Sequence, residues 1–262
     1  MALVTPIATD QQDDPRPSNK VILGVRISDM TRGAAIKTLL ASLAANHHRK
    51  LAFCNAHTAN SAWSDGVFQA QLKNFTVLAD GIGIDMAAKA LYGAPFAANL
   101  NGTDFVPALL QAASGPLRLA LIGGKPGVAH AAADKLLKLA PQHSISVAMD
   151  GFGSDDDIQI FVNQLTQQPV DILLVAMGNP KQELWIADNI NARHAKLAIG
   201  VGALFDFLAG EVTRAPNWIR SLRLEWIYRL AQEPRRLFRR YVLGNPLFLL
   251  RIALIKYGFK PF

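Results

Sequence analysis

Cysteine is nearly absent from this chain: the 262 residues hold one, Cys54. A single thiol permits no internal disulfide, which excludes the disulfide-stapled secreted classes and fits a reducing compartment. Set among apolar neighbours, Cys54 reads as a small buried side chain. Long hydrophobic runs are missing as well. The last apolar stretch is interrupted by Arg251 and Lys256 and falls short of the roughly 20 residues that a spanning helix needs. The opening MALVTPIATDQQDDPRPSNK has no basic segment followed by a long apolar one, so no signal peptide is read. His47, His48, His57, His130, His143 and His194 form no metal-ligand spacing, and GxSxG does not occur. Metalloenzyme and serine-hydrolase chemistry therefore have no foothold in the motifs.

Charge is present but lopsided. From Thr213 to Phe262 there are eleven Lys or Arg against two acids, Glu225 and Glu233, a formal +9, whereas the first 212 residues are at −2 from 16 bases and 18 acids. Trp218, Trp226, Tyr228, Phe238, Tyr241 and Phe248 are interleaved with those bases. Such a stretch suits an anionic membrane surface, with bases toward headgroups and rings at the interface. Clustered Arg with aromatics also suits nucleic acid. The aliphatic run LGNPLFLLRIALIKYGF decides for the membrane, because bases have no use for it and acyl chains do.

Half of the residues are apolar, enough for one large core. Strands are expected near 21–27, 51–54, 75–79, 117–122, 144–149, 170–177 and 196–201. Helices are expected near 31–46, 58–73, 81–92, 103–113, 126–139, 155–166 and 180–192. This alternation predicts an α/β fold, a Rossmann-like, mainly parallel sheet with helices on both faces. The expected divisions are a disordered leader (1–19), the α/β catalytic domain (20–212) and a basic amphipathic helical appendage (213–262). In the appendage Pro216, Pro234 and Pro246 mark three helix starts. Because the α/β pattern is complete before it, a chain ending near Glu211 is expected to fold alone.

Ligands of such sheets sit beyond the carboxyl ends of the strands, so the residues there come first. Asp80 and Gly81 directly follow FTVLA, where the carboxylate can serve as a general base or cap the next helix. Asn55 ends the preceding strand. GGKPG (123–127) is neither a Walker loop nor GxGxxG, yet its glycines admit a phosphate to a helix start as readily as they make a tight turn. In GNPKQELW (178–185), Pro180 and Glu183 suit a helix N-terminus, whereas Gln182 has no such reason and offers an amide to a sugar hydroxyl. Asp206 in GALFDFLAG is another edge acid, suited to a ribose or base edge. For Ser154 to Asp157 a helix cap with acids in the first turn is simpler than a metal site.

Taken in order, ADGIGI (79–84), NGTDF (101–105), LIGGKPG (121–127), GNPKQELW, GVGALFDFLAGEVTRAPNW (200–218) and LEWIYRLAQEPRRLFRRY (224–241) resemble the WecG/TagA/CpsF family of bacterial glycosyltransferases. The resemblance implies an inverting transfer from a UDP-sugar to a polyprenyl-diphosphate-linked saccharide. It also implies a peripheral enzyme on the cytoplasmic face of the inner membrane, with no cofactor, metal or nucleic acid. Asp80 would be the catalytic base, with Asn55 beside it and Gln182 and Asp206 as substrate contacts. Thr103, Asp104, Gly123, Gly124 and Lys125 join them, and Arg229, Arg236 and Arg239 would close over the leaving diphosphate. Within the family the chain looks most like the exopolysaccharide branch of xanthan-type (GumM) glucosyltransferases, which implies glucose. The alternative is N-acetylmannosamine or its uronate for a cell-envelope polymer. Phe53 stands where many members have Thr, and Asn99 where many have Arg; both bear on sugar or acceptor identity. A reading of another class is a non-catalytic nucleotide-binding module that recruits a partner to the membrane.

Overall fold

The computed structural model describes residues 18–151, 153–216, 218–219 and 223–258. The chain starts with a hairpin, β1 (Ser18–Ile22) and β2 (Val25–Asp29), antiparallel to each other. One continuous strand was expected over 21–27. Instead Leu23 and Gly24 take positive φ, 48° and 82°, the two-residue turn whose twist matches antiparallel strands. Ser18 and Asn19 belong to β1 and not to a leader, whose remaining residues lie outside those described.

The strands β3 (Arg49–Cys54), β4 (Thr76–Ala79), β5 (Arg118–Gly123), β6 (Ser144–Met149), β7 (Val170–Ala176) and β8 (Ala195–Gly200) complete an eight-stranded sheet. Its order is β1-β2-β4-β3-β8-β7-β5-β6, and every neighbouring pair after the hairpin is parallel. The fold is α/β and Rossmann-like. β3 and β8 meet where the amino-terminal and carboxyl-terminal halves of the sheet join, the kind of switch point at which such sheets open a crevice.

Period-two alternation along the strands divides the core between two faces. In β3, Ala52 and Cys54 face one layer and Leu51 and Phe53 the other. The first layer is covered by α2 (Ala56–Ser64), α3 (Gly66–Leu72), α4 (Ile82–Tyr92), α7 (Asp155–Gln167) and α8 (Lys181–Asn189). The second is covered by α1 (Arg32–Ala44), α5 (Gly102–Ala112), α6 (Val128–Leu139) and α9 (Leu204–Ala209). The helix expected over 58–73 is split into α2 and α3. Asp65 does this: its backbone N–H closes α2 on Ser61 O at 2.9 Å, while its carboxylate accepts from Val67 N and Phe68 N at 3.0 and 3.1 Å to start α3. The short α9 was not anticipated, since the sequence pattern there offers a glycine-bounded loop equally well.

The basic segment continues as α10 (Glu225–Gln232), α11 (Pro234–Phe238), a π-helical turn (Arg239–Leu243) and α12 (Gly244–Lys256). Pro234 opens a helix as expected, whereas Pro246 is the third residue of α12, which runs on from the π-helical turn. Much of the stretch after Pro216 lies outside the described residues. α12 packs against the α/β body. Phe248 and Ile252 are buried in the first core layer against α2 and α4. Asn60 Nδ2 donates to Gly244 O at 2.7 Å, and Arg251 donates to Asn60 Oδ1 at 2.9 Å and Ser64 Oγ at 3.1 Å. Removing everything after Glu211 would uncover the surface of α2 and α4 that Phe248 and Ile252 bury. No helix among the described residues is long and apolar enough to cross a membrane.

Candidate active site

The parallel strands β3, β4, β7 and β8 all end at one edge, and the turns that follow them line a cleft of about 2160 Å³. A pocket for one small ligand holds about 300–1,000 Å³, so there is room here for two substrates. Asp80 follows β4, its backbone N–H held to Cys54 O at 2.9 Å. Asn55 follows β3 and has two tasks. Its Oδ1 caps α2 by accepting from His57 N and Thr58 N at 3.0 and 3.1 Å, which turns Nδ2 toward Asp80 Oδ2 at 3.3 Å. Desolvation raises the Asp80 pKa above the ordinary carboxylate range, opposed by the Asn55 hydrogen bond and by the charges of Arg240 and Arg229. The result is a carboxylate of increased basicity that already has a donor on one oxygen.

Asn99, the departure noted above, takes part in this corner. Its Oδ1 accepts from Gly81 N at 3.0 Å and its Nδ2 donates to the buried Asp85 at 3.4 Å. Arg223 reaches the same Asp85 oxygen at 2.7 Å. Phe53 packs edge-on to Phe105 with ring centroids 6.0 Å apart and lies against Gly102, where a threonine would have offered a hydroxyl.

The opposite wall is the basic segment. Arg229, Arg236, Arg239 and Arg240 line the cleft, although they are spread over α10, α11 and the π-helical turn. Arg229 lies over the Phe207 ring, 5.2 Å from its centroid, with Nε buried and without a hydrogen-bond partner. Arg240 Nε is buried in the same condition. Arg236 pairs with Glu233. Asp206, in the first turn of α9, lines the cleft between these arginines and Lys125. Its pKa is raised by desolvation and held back by Arg236, Arg229 and Lys125.

The other expected contacts divide. Thr103, Gly124 and Lys125 line the cleft. Gly123 does not: it ends β5 at φ 127°, and a Cβ there would lie 2.4 Å from Ala176 O, so its glycine is required by close strand packing. The Gly124 amide is committed to Ala176 O at 2.9 Å and is not a free phosphate donor. Asp104 is likewise taken, because Arg214 grips both its oxygens at 2.7 and 3.0 Å and Asn101 donates to it at 3.0 Å. Asp104 is thus an anchor for the basic segment, outside the cleft lining. Gln182 lines the cleft but is largely occupied: Oε1 accepts from Gly202 N at 3.0 Å and Nε2 donates to Glu183 at 2.8 Å. Ser154 and Asp157 form a reciprocal capping box. Among the described residues no group of three or more His, Cys, Asp or Glu is arranged to hold a metal ion.

Two residues were missed. Glu183 stands in the first turn of α8 as expected, but its environment was not foreseen. It is buried, and desolvation pushes its pKa up to about 7 against hydrogen bonds from Gln182 and Asn179. His57 lines the cleft, its pKa brought down to about 4 by desolvation and by Arg240, against a hydrogen bond to the Asn179 backbone. At neutral pH the ring is uncharged. The adjacency of His57 to Asn55 was the available signal.

Fold and site are those of a Rossmann-like enzyme whose carboxyl edge is built around an aspartate and an arginine-lined wall. The pattern of the Glycosyl transferase WecG/TagA/CpsF family matches residues 20–261, and the chain belongs to that family.

Proposed function

We propose that the protein is an inverting hexosyltransferase. It moves glucose from UDP-glucose to a polyprenyl-diphosphate-linked saccharide in exopolysaccharide synthesis, while docked on the cytoplasmic face of the bacterial inner membrane. The observation that carries the reading is the opposition of Asp80, raised in basicity and bonded to Asn55, to the arginines of the basic segment across one cleft. Asp80 takes the proton of the acceptor hydroxyl as that oxygen attacks the anomeric carbon. The bond from the anomeric carbon to the UDP oxygen breaks on the opposite face, and UDP departs with the electron pair. Arg229, Arg236 and Arg239 stabilise the negative charge that develops there. The buried guanidinium Nε of Arg229 supports this role, since a buried N–H without an acceptor is costly until one arrives.

The basic segment has a second task, holding the enzyme at the membrane that carries the acceptor. Leu243, Leu247, Leu250 and Leu254 stay exposed on the turn before α12 and along it, in a segment with formal charge +9 from eleven bases and two acids. Bases and exposed leucines together suit an anionic bilayer surface. The test is release of UDP from UDP-glucose in the presence of a synthetic polyprenyl-diphosphate saccharide, with the anomeric configuration of the product read by NMR. A retained configuration, or transfer from UDP-N-acetylmannosamine in preference to UDP-glucose, overturns the corresponding part of the reading. Binding of UDP-sugars without turnover on any lipid acceptor favours the non-catalytic module.

A further inference from the structure

The turn after β7 carries an acceptor that the reaction described above does not use. Asn179 lines the cleft, and its Nδ2 donates to Glu183 Oε2 at 2.9 Å. Its Oδ1 is left buried without a hydrogen-bond partner, a state that native structures avoid unless a donor is to be supplied. While Glu183 is ionised, the amide is not free to turn over. The Glu183 carboxylate, 1% exposed, also takes Gln182 Nε2 at 2.8 Å, and Gln182 Oε1 takes Gly202 N at 3.0 Å. A flipped Asn179 would set oxygen against carboxylate, and a flipped Gln182 would set NH₂ against the Gly202 N–H. With Glu183 ionised, only this assignment sets no acceptor against an acceptor and no donor against a donor, and it leaves Asn179 Oδ1 as the one oxygen still open.

Position narrows the donor. The His57 ring reaches the Asn179 backbone carbonyl, the His57 backbone N–H donates to Asn55 Oδ1, and Asn55 Nδ2 donates to Asp80. Asn179 is therefore linked by three short steps to the reacting carboxylate. Diphosphate oxygens only accept, so they have nothing to offer Oδ1, whereas pyranose hydroxyls donate. We propose that Asn179 is a substrate-binding residue whose Oδ1 accepts a hydroxyl of a bound sugar, and that Glu183 is the positioning residue that turns that oxygen toward it. The proposal rests on the sugar-transfer reading above; the sugar belongs either to the donor or to the acceptor saccharide.

The Cys54 thiol on β3, which feels the Glu183 charge, is held protonated by burial, and His57 on α2, which reaches the Asn179 backbone, is uncharged at neutral pH. Neither supplies a positive charge to the carboxylate. The test is calorimetric titration with UDP-glucose and with UDP, beside KM for the lipid acceptor, on wild type, Asn179→Ala, Asn179→Asp and Glu183→Gln, with a thermal melt of each. Asn179→Ala is expected to weaken UDP-glucose binding, or to raise the acceptor KM, by about tenfold while leaving UDP affinity and kcat nearly unchanged. Which of the two moves identifies the sugar. Glu183→Gln offers one accepting oxygen to two donors, so it releases one flanking amide and reproduces the loss. Asn179→Asp keeps an acceptor, and below neutral pH, where Glu183 holds a proton to bridge the two carboxyls, it is expected to recover affinity. A folded Asn179→Ala with wild-type UDP-glucose affinity and wild-type acceptor KM overturns the proposal, as does equal weakening toward UDP alone. If the wild type binds no UDP-sugar, the sugar-transfer reading falls first and this proposal with it.

Discussion

Asp80→Asn separates chemistry from architecture in this site. The amide keeps an oxygen where Asn55 Nδ2 donates at 3.3 Å, and the backbone N–H of residue 80 stays on Cys54 O at 2.9 Å. The corner should therefore hold its shape. What is lost is the proton acceptor, which contributes about 10² to 10⁴ in rate, or about 3–5 kcal/mol of barrier. Stability should move the other way. Desolvation raises the Asp80 pKa in the folded protein, so the folded state binds this proton more tightly than the unfolded state does. Stability gained from it is present at low pH and is lost as pH rises through the folded pKa. Near pH 8 the ionised carboxylate is a liability that the substitution removes, so the variant should melt at the wild-type temperature or above it. The assay is UDP release with a lipid-linked acceptor, beside thermal melts at pH 5 and pH 8. In the wild type, turnover should rise with pH through the raised Asp80 pKa. Turnover within threefold of wild type, or a lowered melting temperature at pH 8, would refute the reasoning.

Phe248→Ala deletes a side chain 1% exposed between α12 and the first core layer, and should cost about 3–5 kcal/mol. Chemical denaturation measures it, and a loss under 1 kcal/mol would mean that α12 is not part of the core. Glu183→Gln should flatten the pH dependence of stability. With a folded pKa of about 7 against an ordinary 4.5, the native protein gains about 3 kcal/mol at low pH that disappears as pH rises through 7. Melting curves from pH 5 to 8.5 show whether that slope is present in the wild type and absent from the variant. Arg229→Ala should lower transfer about 10²- to 10³-fold even to a soluble short-chain acceptor, where membrane docking is irrelevant; full activity on that acceptor would leave the arginine with an anchoring role alone.

The sheet was legible because burial on both faces writes itself into sequence: ILLVA and LAIG have few other uses than parallel central strands. The position of Asp80 and Asn55 followed from the same logic, since a polar residue that ends an apolar strand must sit at an edge. Residues whose role depends on distant partners were not legible. Asp104 looked like a site acid until Arg214, more than a hundred residues later, took both its oxygens. Glu183 fitted a helix N-terminus by local rules, and burial under the site, which no local pattern encodes, made it a titrating acid. Gly123 and Gly124 read equally as a phosphate loop or a tight turn, and the structure packs one against Ala176 and bonds the other to it. The basic segment shows the division most clearly. Its charge and rings are plain in the sequence, whereas its attachment through Phe248, Ile252 and Arg251 depends on what α2 and α4 present to it. Periodicity and composition act along the chain and fix elements and edges. Pairing, burial and the orientation of side-chain amides depend on groups far apart in sequence, and only the tertiary structure brings those together.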